Sequence, residues 1–192
     1  TSKDALIIEA CGSIDELSTL IGFSVNYLTD KNETAFMINI QKNLYYIMAF
    51  LSGAKIELKH LSTETKRFEQ KIDDYTSRLP KLNRFVLNPG TKIASLFHIL
   101  RVETRRCERR VVSYLKNVKK LNNNEKLILM YINRLSDLFF TYARKYSKNK
   151  EVLTYIINEK TNFCFNFYFY YWGSALPKNK PKKSDFGVPN SS

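Results

Sequence analysis

The stretch Thr91-Lys-Ile-Ala-Ser-Leu-Phe-His98-Ile-Leu-Arg101-Val-Glu-Thr-Arg105-Arg106-Cys107-Glu108-Arg109-Arg110-Val-Val-Ser-Tyr-Leu115 decides the fold. It holds no proline or glycine, and Ile93, Leu96, Leu100, Cys107, Val111 and Leu115 recur on one helical stripe. The spacing predicts a helix from Thr91 to Lys119, roughly 40 Å long at about 1.5 Å per residue. Upstream, Pro80 and Pro89 bracket a loop; downstream, Pro177, Pro181 and Pro189 are the next prolines. The intervening chain is therefore free of the strongest helix breaker and reads as long helices.

Four more helices follow from the same periodicity. Ser13 and Glu16 form an S-x-x-E pattern predicted to cap a first helix, with Ile14, Leu17, Leu20, Ile21, Val25 and Leu28 on its apolar face. It is expected to end in the polar stretch Thr29 to Glu33. A second helix, from about Thr34, carries Met37, Ile40, Leu44, Ile47, Leu51, Ala54 and Leu58. A third, from about Glu64 to Arg78, carries Phe68, Ile72, Tyr75 and Leu79, and Pro80 stops it. After a turn at Asn122 to Asn124, a fifth runs from about Glu125 to Ser147 with Ile128, Tyr131, Leu135, Leu138, Phe139 and Tyr142 facing inward. Helices joined by short connections pack as neighbours, so an all-α, up-and-down five-helix bundle is expected over residues 1–147. Residues 148–192 form a separate extension. Glu151 to Ile157 is read as a possible helical continuation, then comes an aromatic run, and from Pro177 a disordered tail with Lys178, Lys180, Lys182 and Lys183.

Composition narrows the function classes. The 192 residues include 31 Lys+Arg and 18 Asp+Glu, a net charge of +13, with 44% hydrophobic and 14% aromatic side chains. That is enough apolar material for a core and rules out a wholly disordered chain. Cys11, Cys107 and Cys164 are odd in number and widely separated, which fits a reduced compartment and supports neither a disulfide framework nor a zinc site. No apolar run reaches the ~20 residues of a membrane helix, so no membrane partner is expected. The chain starts at Thr1 without a methionine, so an upstream segment, with any targeting peptide, is expected to have been removed or left out.

The helix quoted above also carries the chemistry. Arg101, Arg105 and Glu108 share one face, and His98 extends the row by a turn, whereas Arg106, Arg109 and Arg110 point elsewhere. One reading is a solvated basic face with local Arg–Glu pairs. The other starts from the closeness of the row to the apolar stripe, which predicts partial burial. Buried arginines need anions, and a guanidinium fork suits the phosphates of a polyphosphate ligand. On the fifth helix, Asn133 and Asp137 share a face and Arg134 reaches Asp137 at i,i+3, a pattern equally compatible with a structural polar network. Asp15 and Glu16, taken as lying near a helix start, fit a cap and dipole role, and Asp15 is also free to pair with an arginine of another element or subunit.

Other chemistries fit less well. Glu57-Leu-Lys-His60 is a lone E-x-x-H, and Ser95 stands where a second motif ending at His98 needs a glutamate, so a di-iron bundle is disfavoured. Two histidines and scattered cysteines offer no metal site. Neither a phosphate-binding G-x-x-x-x-G-K-[ST] loop nor a G-x-S-x-G elbow occurs. A nucleic-acid partner is not expected, because arginines on the apolar side of a bundle are poorly placed to follow a phosphate backbone.

Four blocks, in order and at matching spacing, resemble the PduO-type family of ATP:cob(I)alamin (corrinoid) adenosyltransferases. They are Ser2-Lys3-Asp4 with Glu9 to Leu17; Ile40-Gln41-Lys42-Asn43-Leu44; Phe85 to Gly90 running into His98 and Arg101 to Arg109; and Tyr131 to Asp137 with Ala143-Arg144. The resemblance covers roughly residues 2–147. It implies a homotrimer with active sites between subunits, in which Co(I) of a reduced corrinoid attacks the 5′-carbon of ATP and expels triphosphate.

Carried over by position, the resemblance gives Lys3, Arg105, Glu108 and Asn133 to ATP, with Glu108 and Asn133 near its Mg²⁺. It gives Phe85, Arg101 and Asp15 to cobalamin. Phe85 would press on the lower face of the corrin and displace its axial base. Arg101 would pair with Asp15 across the subunit boundary, and Arg134 with Asp137 would form a buried pair that positions Asn133. Implied partners are a cobalamin reductase and an adenosylcobalamin-dependent mutase, in the mitochondrial matrix of a eukaryote or the cytoplasm of a prokaryote.

There are departures. The Thr/Gly/Asp-rich phosphate loop that opens the family is expected upstream of Thr1, Ile7 replaces a frequent arginine, and Asn88-Pro89-Gly90 replaces Pro-Gly-Gly. They leave an alternative in play, a non-catalytic corrinoid-binding or cofactor-delivery protein that has lost ATP binding. A basic nucleic-acid binder is the third reading.

Overall fold

The computed structural model describes residues 2, 5–82, 86–87, 90–116 and 121–147, and the backbone of 152–153. Lys3, Phe85, residues 117–119 at the expected end of the long helix, the aromatic run and the basic tail all lie outside the described residues, and within them that helix ends at Leu115. Five helices carry the fold: α1 (Leu6–Val25), α2 (Lys31–Leu51), α3 (His60–Arg78), α4 (Lys92–Leu115) and α5 (Asn123–Ser147). α1 packs against α2 and α4, and α5 packs against α4 and α3. Phe36 and Phe68 meet edge to face at 5.8 Å and bring α2 to α3. The shared core holds Ile14, Leu17, Met37, Ile40, Leu44, Phe68, Leu100, Val111, Tyr131, Leu135 and Phe139, all fully buried. This is the expected all-α five-helix bundle, because each apolar stripe finds another to cover it.

Local side-chain and backbone hydrogen bonds set the helix boundaries. Thr91 caps α4, its hydroxyl accepting from the Ala94 amide at 3.2 Å. α2 begins at Lys31, ahead of Thr34, because the Asp30 side chain accepts from the Asn32 amide at 2.7 Å. α2 ends in a Schellman motif: Gly53, at φ 98°, donates to Phe50 O, and Ala54 donates to Ala49 O, both at 3.0 Å. α3 begins at His60, a turn before Glu64.

Two expectations are corrected. Ser13 and Glu16 do not cap α1, because the helix starts at Leu6 and Ser13 lies inside it, donating instead to Ala10 O at 2.9 Å. Asp15 is therefore mid-helix and has no N-terminal dipole role. A reciprocal capping box does occur at the start of α5. Asn122 N donates to Glu125 Oε2 at 2.7 Å, and Glu125 N donates to Asn122 Oδ1 at 2.9 Å. The helical reading of Glu151 to Ile157 also fails where it is described. Val152–Leu153 is a short strand, β2, antiparallel to β1 (Val86–Leu87), with Val86 opposite Leu153 and Leu87 opposite Val152. Two residues extended along an available strand satisfy their backbone groups there instead of in a helix.

No helix among the described residues is long and apolar enough to cross a membrane.

Candidate functional site

The α4 charges divide by exposure. Arg106, Arg109 and Arg110 are exposed, while Arg101, Arg105 and Glu108 are half-buried. Arg110 Nη1 lies 2.7 Å from Glu9 Oε2, and Arg106 Nη1 lies 3.6 Å from Glu103 and 3.7 Å from Glu16. Those exposed pairs are each worth at most about 1 kcal/mol, so the solvated-face reading holds for them. The Arg101, Arg105 and Glu108 row instead has the partial burial expected from its place beside the apolar stripe, and Glu108 reaches the junction with α5.

Across that junction, Asn133 Nδ2 donates to Glu108 Oε1 at 2.9 Å. Arg134 Nη1 sits 2.9 Å from Asp137 Oδ2, and Arg134 Nη2 sits 3.3 Å from Glu69 Oε1 on α3. Asp137 is 4% exposed, so its charge is compensated at short range, as a buried carboxylate requires. The Asp137 carbonyl also accepts from Thr141 Oγ1 at 3.0 Å. Arg134, next to Asn133 in the chain, thus links α5 to α3.

Two buried side-chain atoms along the same junction make no hydrogen bond in the chain. They are Nδ1 of His98 and Oγ of Ser136. His98 is 6% exposed and its ring lies 6.3 Å from Phe140, one turn beyond Ser136 on α5. Burial, together with the nearby Arg101 charge, pushes the imidazole down to about 4, so it is neutral at physiological pH. Buried polar atoms normally find partners, so a seam with unmet hydrogen-bonding capacity beside half-buried arginines is chemically suited to a polar, anionic ligand. The sequence placed His98 in the row but could not show its orphaned nitrogen, and it gave no reason to single out Ser136.

The remaining expected residues are less tightly joined. Asp15 is exposed on α1, in a shallow groove with Glu16, Thr19, Leu20, Glu103 and Arg106. Among the described residues no cluster of three or more His, Cys, Asp or Glu side chains could hold a metal ion. A Mg²⁺ ion at Glu108 would thus depend on phosphate oxygens and water for most of its ligands, as this cation commonly does. Burial pushes the Cys107 thiol up to about 12, so it stays protonated and unreactive near neutrality.

The cluster that sequence reasoning missed is centred on Glu33, which is 4% exposed at the start of α2. Its carboxylate accepts hydrogen bonds from the Tyr75 and Tyr142 hydroxyls, with Lys145 Nζ at 3.2 Å and Lys71 Nζ at 3.4 Å. Burial alone would raise this carboxyl, but the bonds from Tyr142 and Tyr75 and the charges of Lys145 and Lys71 outweigh it and hold it below the ordinary value. Lys145 also lies over the Tyr75, Tyr142 and Tyr146 rings, with centroid distances of 4.1, 5.3 and 5.1 Å.

Known proteins resemble this chain in sequence and fold. A family described as cobalamin adenosyltransferase matches residues 1–146. The corrinoid adenosyltransferase of Bacillus subtilis is 38% identical over 151 residues, covering 75% of this chain and 76% of the relative. Human corrinoid adenosyltransferase MMAB is 38% identical over 160 residues, covering 78% of this chain and 62% of the human protein. The structure of a variant PduO-type ATP:corrinoid adenosyltransferase from Lactobacillus reuteri, complexed with cobalamin and ATP, superposes with a TM-score of 0.72 at 28% identity, covering 83% of this chain and 89% of that one.

Proposed function

The chain belongs to the cobalamin adenosyltransferase family, and on that premise we propose that it transfers the 5′-deoxyadenosyl group of ATP to the cobalt of a reduced corrinoid. The electron pair of Co(I) attacks C5′, the C5′–O bond breaks with its electrons going to oxygen, and triphosphate leaves. The nucleophile is the corrinoid substrate itself, so the protein's work is alignment and neutralisation of the departing charge. The observation that carries this reading is the α4–α5 seam, where the Asn133–Glu108 bond lies in the row of half-buried Arg101 and Arg105.

In this reading Arg105 takes the phosphates, with Lys3 nearby, and Glu108 and Asn133 hold the nucleotide and contribute to its Mg²⁺. Asn133 is suited to the task because Arg134 and Asp137 anchor its helical turn. Asp15, exposed on its helix, pairs with Arg101 of a second copy in a homotrimer whose sites lie between subunits. Phe85, immediately before β1, presses on the corrin and displaces the axial base, which makes Co(II) easier to reduce. Catalysis is assigned to residues 1–147, and 148–192 to a separate extension. A cobalamin reductase upstream and an adenosylcobalamin-dependent mutase downstream are the partners this chemistry calls for. The compartment would be the mitochondrial matrix in a eukaryotic host and the cytoplasm in a prokaryotic one.

The test is to mix the protein with ATP, Mg²⁺ and chemically reduced cobalamin. Light-sensitive absorbance of adenosylcobalamin is expected. Corrinoid binding without product, and without a calorimetric signal for ATP, would replace the enzyme by a cofactor-delivery protein.

A further inference from the structure

The polar row of α4 begins and ends against α5. The His98 ring lies 6.3 Å from that of Phe140, and Glu108 accepts from Asn133 at 2.9 Å. His98, Arg101, Arg105 and Glu108 are spaced by three, four and three on one helix, and Asn133, Ser136 and Phe140 by three and four on the other. Each set therefore shares a face. The earlier residue of α4 meets the later one of α5, so the two helices run antiparallel. Counting four residues from the His98–Phe140 crossing brings Ser136 level with residue 102, and counting three from the Glu108–Asn133 crossing brings it level with 105. Arg105 is the member of the row in that interval.

Ser136 is unlike other buried hydroxyls of the bundle. Ser24 donates to Ile21 O, Thr65 to Leu61 O and Thr104 to Leu100 O, each at 2.7 Å, and Thr141 donates to Asp137 O at 3.0 Å. Those groups are satisfied within their own helices. The Ser136 hydroxyl, on a residue 2% exposed, makes no such bond, and neither does Nδ1 of His98. Leaving a buried polar atom unbonded costs free energy, so two of them in one seam point to partners gained in the bound state.

The seam contains matching donors. A guanidinium holds five N–H groups in a rigid fork, and one that grips an anion through two of them keeps three for the protein. Burial and the Arg101 charge keep the His98 imidazole neutral near physiological pH, so Nδ1 can accept, as can Ser136 Oγ.

We propose that His98 and Ser136 are positioning residues: once the two arginines hold their anions, His98 Nδ1 accepts from Arg101 and Ser136 Oγ from Arg105, and these bonds aim the forks. This role rests on the functional reading just given, in which Arg105 takes the ATP phosphates and Arg101 a carboxylate of a second copy. Neither side chain touches a substrate. The bonds form only in the liganded protein, so they add to affinity and turnover and not to the stability of the free chain.

Ser136→Ala, Ser136→Thr, His98→Phe and His98→Asn test this. Ser136→Ala should lower Mg²⁺-ATP affinity at least fivefold by calorimetry, and Ser136→Thr, which keeps the hydroxyl, should stay within twofold of wild type. In an Arg105→Ala background, Ser136→Ala should change affinity less than twofold, because the serine acts through that arginine. His98→Phe should lower kcat at least fivefold with ATP affinity within twofold, and His98→Asn should recover most of it. The melting temperature of the free protein should be unchanged or higher in Ser136→Ala and His98→Phe, since each removes an atom that the free protein leaves unbonded. The chain has two histidines, so ¹⁵N resonance of the rings reads His98 directly in the wild type. Its Nδ1 signal should move upfield on saturation with ATP and corrinoid, while that of exposed His60 stays in place.

Wild-type affinity in Ser136→Ala, or an equal loss with and without Arg105, overturns the serine's role. An unmoved Nδ1 signal overturns the histidine's, and needs no variant to fold. A fall in the free protein's melting temperature that accounts for the lost binding makes the residues structural and overturns both roles. Absence of ATP binding by the wild type overturns the functional reading and the positioning with it. Wild-type binding and turnover with insensitive variants overturns the positioning alone, so the two failures are distinguishable.

Discussion

Asn133 of α5 donates to Glu108 of α4 across 2.9 Å, a bond that takes up one of the several lone pairs of the carboxylate. Glu108→Gln preserves a hydrogen-bonding partner for Asn133 but removes the charge. We expect Mg²⁺-dependent ATP affinity to fall about tenfold, equivalent to roughly 1.4 kcal/mol, with little change in melting temperature. Arg105→Ala should weaken ATP by about 1.5–3 kcal/mol through loss of a charge-assisted hydrogen bond. Calorimetry with and without Mg²⁺ reads both, and wild-type affinity in either variant counts against the ATP assignment.

Glu33 should dominate the stability of the opposite cluster. Glu33→Gln leaves Lys71 and Lys145 without their buried counter-charge and is expected to cost about 3 kcal/mol, measured by urea unfolding at pH 7. The carboxyl is held below its ordinary value, so the unfolded state binds more protons as the pH falls. The stabilisation is present above the ordinary carboxylate range and is lost as pH falls through the lowered native value. A stability difference between wild type and variant that stays constant from neutrality through acid would refute this.

His98 adds a second acid-sensitive element, at higher pH. Its native imidazole titrates at about 4 against 6.5 when unperturbed, so between those values the unfolded state takes up a proton that the folded state refuses. Stability should therefore decline as pH falls across that window, by up to about 3 kcal/mol. His98→Gln should flatten the decline. Nuclear magnetic resonance of the ring should show His98 neutral at pH 6, and a protonated ring there would contradict the assignment.

The capping residues supply a sharper local test. Asp30→Ala and Asn122→Ala remove side chains that accept helix-start amides and should each cost about 1 kcal/mol. Ser13→Ala removes a back-bond within α1 and a weak hydrogen bond with the Cys107 thiol, and should cost less than either. Thermal unfolding of the three variants side by side gives the order, and Ser13→Ala as the most damaging would reverse it.

Those residues also show where sequence reasoning stopped. The apolar stripes gave the five helices, and the closeness of Arg101, Arg105 and Glu108 to one of them gave their partial burial, because helical spacing alone sets which side chains share a face. Arg134 and Asp137 were legible for the same reason. An S-x-x-E pattern, by contrast, looks the same at a helix start and inside a helix. What separates Ser13 from Asn122 is how far the helix extends upstream. Glu33 was read as part of a polar loop because Lys71, Tyr75, Tyr142 and Lys145 come from two helices remote in sequence, and no local period records that meeting. The orphaned His98 nitrogen was hidden likewise, since a missing partner can be seen only when every neighbour is in place.

The way α4 meets α5 bears on the order of folding. The two helices are consecutive in the chain and share the Asn133–Glu108 bond, so their pairing closes only a short loop. Docking α1 on α4 must instead close the whole span from Val25 to Lys92. Short closures cost less entropy and come earlier, so the α4–α5 seam should take shape as a local hairpin before the N-terminal helix arrives. A newly made chain would then carry its arginine row, exposed and anion-seeking, while the rest of the bundle is still assembling around it.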